Sequence, residues 1–264
     1  MIVCPMLEDE VVFGIANDDE PKNVYVVEGP YTKTIRRKLE LYSVPYSMMD
    51  EYNLRTSLDV DPDAYNIVIV MNPQKLHKEP TRIVEILKEQ LTMYQGRFDA
   101  IAIYYGMCGN IGWDPTVWAK ENTGTPVTTF HDRKGEYCDD CVSVAVGGRE
   151  QYRKLVHDYT GILFLTPATA TNWWEYPDDD TSEWESFYAS RDDYMRDMFR
   201  WGSYKYALRL DTGLGDRENV DRMCHEVADK MELELIDPRE PVVTIELASD
   251  IYQRTKALLN GSKN

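Results

Sequence analysis

The residues best suited to chemistry fall in two loops. Cys108 lies in MCGNIGWD (107–114), with Gly106 before it and Gly109-Asn110 after it. Glycines on both sides let the backbone approach a ligand closely or take a positive φ. A purely structural cysteine sits better inside a strand than in such a loop, so Cys108 reads as a ligand or a nucleophile. Cys138 and Cys141 form a CxxC in HDRKGEYCDDC (131–141). A structural zinc site would want a second pair at comparable spacing, and the chain has none. A thioredoxin-like dithiol would be opposed by Asp139 and Asp140, which disfavour a thiolate. The pattern alone leaves open whether this pair is incidental or supplies a ligand.

Other candidates are weaker singly. Cys4 ends a short apolar run before Pro5 and, taken alone, reads as core. His77 follows an apolar run in the loop PQKLHKEP (73–80), a position that suits a ligand and equally a solvated side chain. Cys224 shares a helix face with Val220, Val227 and Ala228 and reads as core, whereas His157 and His225 read as surface residues. Asp211-Thr212-Gly213-Leu214-Gly215-Asp216 opens a helix after a strand. Its backbone N–H groups could hold an anionic group of a substrate or cofactor, although it is neither a Walker loop nor a full GxGxxG. Trp173, Trp174, Tyr176 and Trp184 either wall a pocket for a flat ligand or cover the edge of a core. No GxSxG, HExxH or Ser/His/Asp arrangement is present.

The elements that must position these residues alternate between strand and helix. NVYVVEG (23–29), NIVIVMN (66–72), FDAIAIYYG (98–106), GILFLTP (161–167) and the start of YKYALRLDTGLGD (204–216) read as strands, and LELI and VVTIEL close the sheet. Their nearly continuous apolar runs suit strands covered on both faces. Helical spacing marks 32–42, 81–94, 149–159, 186–202, 217–231 and 250–259, while 142–148 could be either strand or the buried start of a helix. Such alternation predicts a single α/β domain over residues 1–264: a mostly parallel sheet with helices on both faces, Rossmann-like and three-layered, interrupted by an irregular aromatic and acidic segment at about 168–184.

Composition narrows the partners. The net charge of −17 offers no clustered basic surface for nucleic acid and does not suit anionic membranes. No apolar run approaches the roughly 18 residues of a membrane span, and MIVCPMLEDE lacks the basic and long apolar regions of a signal peptide. The expected location is cytoplasmic, where the five cysteines are thiols by default.

Several stretches taken together resemble a known family. These are the early apolar-Cys followed by Glu, Leu76-His77 with Pro80, Tyr105-Gly106-x-Cys108-Gly109-Asn110, Asp139-Asp140-Cys141 ahead of an apolar run ending in Gly147-Gly148-Arg149, Thr166-Pro167, and Leu210-Asp211-Thr212-Gly213. In that order they resemble the uncharacterised family called domain of unknown function 1638, of methanogenic archaea and anaerobic bacteria. The sequence departs from the family pattern at 113–137, where a longer polar link carries His131 and the extra Cys138, and in a longer segment at 172–200. The resemblance implies a set of matching positions, Cys4, His77, Cys108 and Cys141, each at or just past a strand end. Three thiols and one imidazole make a tetrahedral zinc set, and three thiols alone would suit a [4Fe–4S] cluster with one open iron.

Members of that family tend to be encoded beside corrinoid proteins and methyltransferases. The resemblance therefore implies a metalloenzyme of anaerobic one-carbon or corrinoid-linked methyl metabolism, in the manner of a zinc- or iron–sulfur-dependent transferase acting on a small molecule. Asp140 is then the candidate general base or outer partner, with Gly109, Asn110, Gly213 and Gly215 as binding-loop residues. The alternative is a non-catalytic accessory protein that binds a corrinoid or methyltransferase partner.

Overall fold

The chain was described from a computed structural model, which covers residues 1–73, 76, 80–110, 112–175 and 187–261. Six parallel strands form the main sheet: β1 (Ile2–Val3), β2 (Asn23–Val27), β3 (Ser47–Met49), β4 (Asn66–Met71), β5 (Ile101–Tyr104) and β6 (Val127–Thr128). Their spatial order is β3-β2-β4-β1-β5-β6. Although only two residues long, β1 is central, with Ile2 opposite Val70 on one side and Ile103 on the other.

The period of two in the strands sorts side chains between two apolar layers. Val3, Val24, Val26, Ala102 and Tyr104 meet α1 (Glu8–Ala16), α2 (Lys33–Leu41) and the C-terminal helix Glu246–Gly261 on one face. Ile2, Val27, Ile101, Ile103 and Tyr105 meet the helix Pro80–Met93 on the other. Both faces are thus covered, as the apolar runs predict. The chain leaves β1 towards β2 through α1 over one face, and the β4-to-β5 connection crosses β1 on the other. Beyond the carboxyl end of β1, where direction reverses, open α/β sheets keep their ligands.

A second parallel sheet, β7 (Ile162–Leu165), β8 (Tyr206–Arg209) and β9 (Glu234–Ile236), carries its own helices. Here the structure differs from the sequence reading, which placed all strands in one sheet. Residues 242–247 are not a strand: Val242 and Val243 pack on the second core, and Thr244 N–H makes a single bond to Ala145 O (2.8 Å) rather than a ladder. The ambiguous run at 142–148 is helical from Cys141 to Ala145, because Asp140 and Ser143 form a reciprocal capping box.

The two sheets meet at the start of α1. Asn172, beyond the end of β7, donates through Nδ2 to Pro5 O (3.2 Å) and to Glu8 Oε1 (2.9 Å). Tyr42 donates to Gly215 O at 3.1 Å. A Cβ at Gly215 would stand 2.7 Å from Asp9 Oδ1, so only glycine admits this contact, and its φ of +75° suits glycine as well. No helix among the described residues is long and apolar enough to cross a membrane.

Candidate functional site

Three loops past the ends of β1, β5 and β6 bring cysteines together. Cys4 is fixed first: its N–H donates to Tyr104 O (3.1 Å), and its carbonyl accepts from Leu7 N–H (2.9 Å), which turns the chain into the 3₁₀ segment Pro5–Leu7. Cys108 is held by a backbone zipper. Met107 N–H donates to Cys138 O (2.9 Å) and Cys108 N–H to Asp139 O (2.6 Å). The zipper depends on Gly106, where a Cβ would lie 2.7 Å from the backbone nitrogen of Asp140 and 2.8 Å from its carbonyl carbon. Cys108 itself has φ +47°, a left-handed conformation that costs a non-glycine residue about 1–2 kcal/mol and is often retained at functional sites. Cys141 is the first residue of the capped helix, so Asp140 sets its position.

The three thiols share one apolar cluster with Tyr105 and Leu76, and each lies within reach of the others' charge. Burial is the main cause that raises all three. After burial, a charge on Cys108 raises Cys4, and charges on Asp140, Cys4, Cys108 and Glu10 raise Cys141. Cys108 is pushed up to about 12 by burial and then by Asp140. Reactive nucleophilic cysteines sit beside positive charge, which lowers the thiol. These three do the opposite: alone they stay protonated, and only a cation placed among them favours the thiolates.

The structure gives the other sequence candidates varied places. His77 lies outside the described residues. Gly109 has φ +85°, with Pro80 Cγ at 3.4 Å from a built Cβ, and Asn110 turns back on its own loop, its N–H (2.9 Å) and Nδ2 (3.0 Å) both directed at Met107 O. Asp140 Oδ1 accepts from Ser143 N–H (2.8 Å) and its carboxylate also bonds the Tyr152 side chain, so capping occupies it. In the glycine turn, Gly213 N–H donates to Asp211 Oδ1 (2.9 Å) and Leu214 N–H to Thr212 Oγ1 (3.4 Å). The turn thus satisfies these donors itself, and carboxylates surround it. Cys138 is buried in the opposite apolar layer, against which Cys141 also packs. Cys224 is fully buried in the second core, as its helix face predicts.

Trp173 and Trp174 cover the edge of that second core. Arg191 lies over Trp173 at 5.6 Å and Lys230 over Trp174 at 4.3 Å from the ring centroids. Tyr176 and Trp184 lie outside the described residues.

Sequence reasoning missed a buried charged cluster beside the thiols. Lys38 is fully buried and pairs with Glu8 (2.8 Å) and Asp9 (2.6 Å), while Thr34 Oγ1 donates to Glu8 Oε2 at 2.7 Å. A signal existed: Lys38 falls on the apolar stripe Ile35, Leu39 and Tyr42, where a charged residue needs a partner. Glu8, Asp9 and Glu10 follow Cys4 directly.

A family model described as "Protein of unknown function (DUF1638)" matches residues 71–245. The chain belongs to this family. The match takes in His77, Cys108, Asp140, Cys141 and the glycine turn of the DUF1638 pattern, while Cys4 and the Glu8–Glu10 run precede it. No curated protein and no solved structure matches the chain. The structure therefore adds what the DUF1638 match does not cover: Cys4 stands with Cys108 and Cys141 at one place in the fold.

Among the described residues, no three Cys, His, Asp or Glu side chains are arranged as a ready-made metal cage. The donor types, three sulfurs with Cys4 buried and Cys108 and Cys141 partly buried, are those that a soft or borderline cation prefers.

Proposed function

We propose that this DUF1638 protein is a thiolate-ligated metal protein. Cys4, Cys108 and Cys141 supply the sulfur donors, and His77, which follows β4 in sequence, is the candidate imidazole donor. Zinc is the first choice of metal and a [4Fe–4S] cluster the alternative. One observation carries the reading: three thiols from three separate strand ends pack on one apolar cluster at the point where the sheet reverses direction. The side chains close on the ion as it loads, since they are not caged beforehand.

A bound zinc would supply Lewis acidity and lower the proton affinity of a coordinated thiol or water. The chain's own contribution is to hold the sulfurs through the Gly106 zipper, exclude water with Tyr105 and Leu76, and position Cys141 through the Asp140 cap. The substrate is a small molecule of one-carbon or methyl metabolism, a choice supported by the family resemblance rather than by the site's shape. Metal analysis of anaerobically purified protein, with a visible absorption spectrum, tests the reading. Zinc near one equivalent, falling in both Cys108→Ser and Cys141→Ser, is the expected result, and a thiolate-to-iron charge-transfer band would assign the cluster instead. Protein that carries neither metal and takes up neither on reconstitution would refute it.

A further inference from the structure

The contact between the two sheets encloses more carboxylates than cations. Glu8 and Asp9 of α1, with side chains 0% and 2% exposed, both reach the fully buried Lys38 of α2, at 2.8 and 2.6 Å. Glu8 has two further donors, Thr34 Oγ1 at 2.7 Å and Asn172 Nδ2 at 2.9 Å. Asp9 has neither. Its Oδ2 is enclosed without a hydrogen-bond partner, and the second sheet's glycine turn lies over it, so that a Cβ on Gly215 would stand 2.8 Å from that oxygen. The groups around this carboxyl do not make up the missing charge. Tyr42 of α2 directs its hydroxyl to Gly215 O (3.1 Å). Arg37, also on α2, faces Asp216 Oδ2 at 4.0 Å, and Arg217 pairs with Asp211 at 2.9 Å. Glu10, next on α1, is buried too and adds a third carboxyl. Two carboxyls that share one site and one cation hold a proton between them. The three donors around Glu8 suit an anion there, which leaves Asp9 Oδ2 as the place for the proton. Burial is the main cause that raises the Asp9 carboxyl above its ordinary 3.8; Lys38 opposes the rise, and Glu8 and Asp216 add to it.

We propose that Asp9 is protonated in the folded chain and acts as a pH-operated latch between the two sheets. The proton lets the glycine turn at 211–216 rest on α1. Its loss places a second negative charge between α1 and the turn, beside Asp216, and loosens the contact. The folded chain binds this proton more tightly than the unfolded chain does. Its contribution to stability is therefore full at low pH and declines as pH rises above the ordinary aspartate value of 3.8. The latch does not depend on the metal-centre reading above.

The experiment is urea unfolding of the metal-free wild-type chain, Asp9→Asn, Glu8→Gln and Glu10→Gln from about pH 5 to about pH 8, with hydrogen exchange of the peptide that contains 211–216. Asparagine keeps the shape of the protonated carboxyl. Asp9→Asn should therefore unfold no earlier than wild type at the upper end of the range, and its midpoint should depend less on pH. Glu8→Gln should unfold earlier throughout, because it removes the anion that accepts from Lys38, Thr34 and Asn172. In wild type, exchange at 211–216, corrected for its intrinsic rate, should rise with pH by at most about tenfold per unit, the limit for one proton. Asp9→Asn should abolish that rise. An Asp9→Asn chain that fails to fold or unfolds well before wild type would overturn the proposal by marking Asp9 as the ionised partner of Lys38. So would a wild-type pH slope that survives in Asp9→Asn, or protection of 211–216 that stays constant across the range. If Glu10→Gln alone flattens the slope, the proton is on Glu10 and the proposal fails too.

Discussion

Gly106→Ala tests the zipper that brings two of the thiols together. The added Cβ would stand 2.7 Å from the nitrogen of Asp140 and 2.8 Å from its carbonyl carbon, against roughly 3.5–4.0 Å for a comfortable carbon contact. Every clashing atom is backbone, Asp140 Cα among them, so no rotamer relieves the overlap and the two loops must separate by about 1 Å. Separation strains the bonds Met107 N–H to Cys138 O (2.9 Å) and Cys108 N–H to Asp139 O (2.6 Å). Each lost backbone bond costs about 1 kcal/mol net, and about 1–3 kcal/mol where a donor is left buried and unpaired. Gly106→Ala should therefore lose about 2–5 kcal/mol in urea unfolding of the metal-free protein, seen as a lower midpoint at unchanged slope. Thiolate-to-cobalt charge transfer in the cobalt(II)-loaded protein should weaken at the same time, because Cys108 and Cys141 ride on the separated loops. Gly109→Ala is the control. Its φ of +85° costs about 1–2 kcal/mol, but its Cβ meets only Pro80 Cγ at 3.4 Å. A Gly106→Ala protein within about 0.5 kcal/mol of wild type, the scatter of ordinary surface changes, would refute the close-approach account.

Three further outcomes are expected. Lys38→Met leaves Glu8 and Asp9 buried without their cation, and breaking a buried pair in this way costs about 3–5 kcal/mol; a chemical-denaturation midpoint equal to wild type would contradict it. Asp140→Ala should cost about 1 kcal/mol through the lost helix cap, and Asp140→Ser, which can still cap, should recover most of that in the same unfolding assay. His131 is held below its ordinary 6.5 by burial first and then by the Arg254 guanidinium. Its folded form resists protonation, so its contribution to stability is present above pH 6.5 and declines as pH falls below that value. The NMR titration midpoint of its ring should lie below 6.5, and a midpoint above it would show that neither the burial nor the Arg254 contact holds in solution.

Much of this site was legible from residue order. NIVIVM and AIAIYY announce strands covered on both faces, which placed Cys108 and Cys141 past strand ends, whereas Cys4 read alone as core and joined them only through the family resemblance. The closing strand read at 242–247 was a misreading, because Val242 and Val243 carry strand-like apolarity yet use it in packing on a core. Asp140 carried its signal locally: an aspartate three residues before Ser143 is a capping pattern, which competes with any reading of it as a base. Lys38 gave only an anomaly, a charge on an apolar stripe, since its partners come from another helix. Asp9 gave no signal, because an acidic residue in a first helical turn is ordinary until its surroundings are known.

The position of β1 has a consequence for synthesis. Ile2 and Val3 are made before the other strands of their sheet, yet they lie between β4 and β5 and have both hydrogen-bonding partners only once Tyr104 exists. At about 5–20 residues per second on the ribosome, that wait is roughly 5–20 s. Throughout it Cys4 lacks Tyr104 O, the acceptor that fixes its N–H, and Cys141 has still to be made. The sheet therefore closes around its earliest strand late, and any ion keyed to Cys4 must arrive after translation has passed the last of its partners.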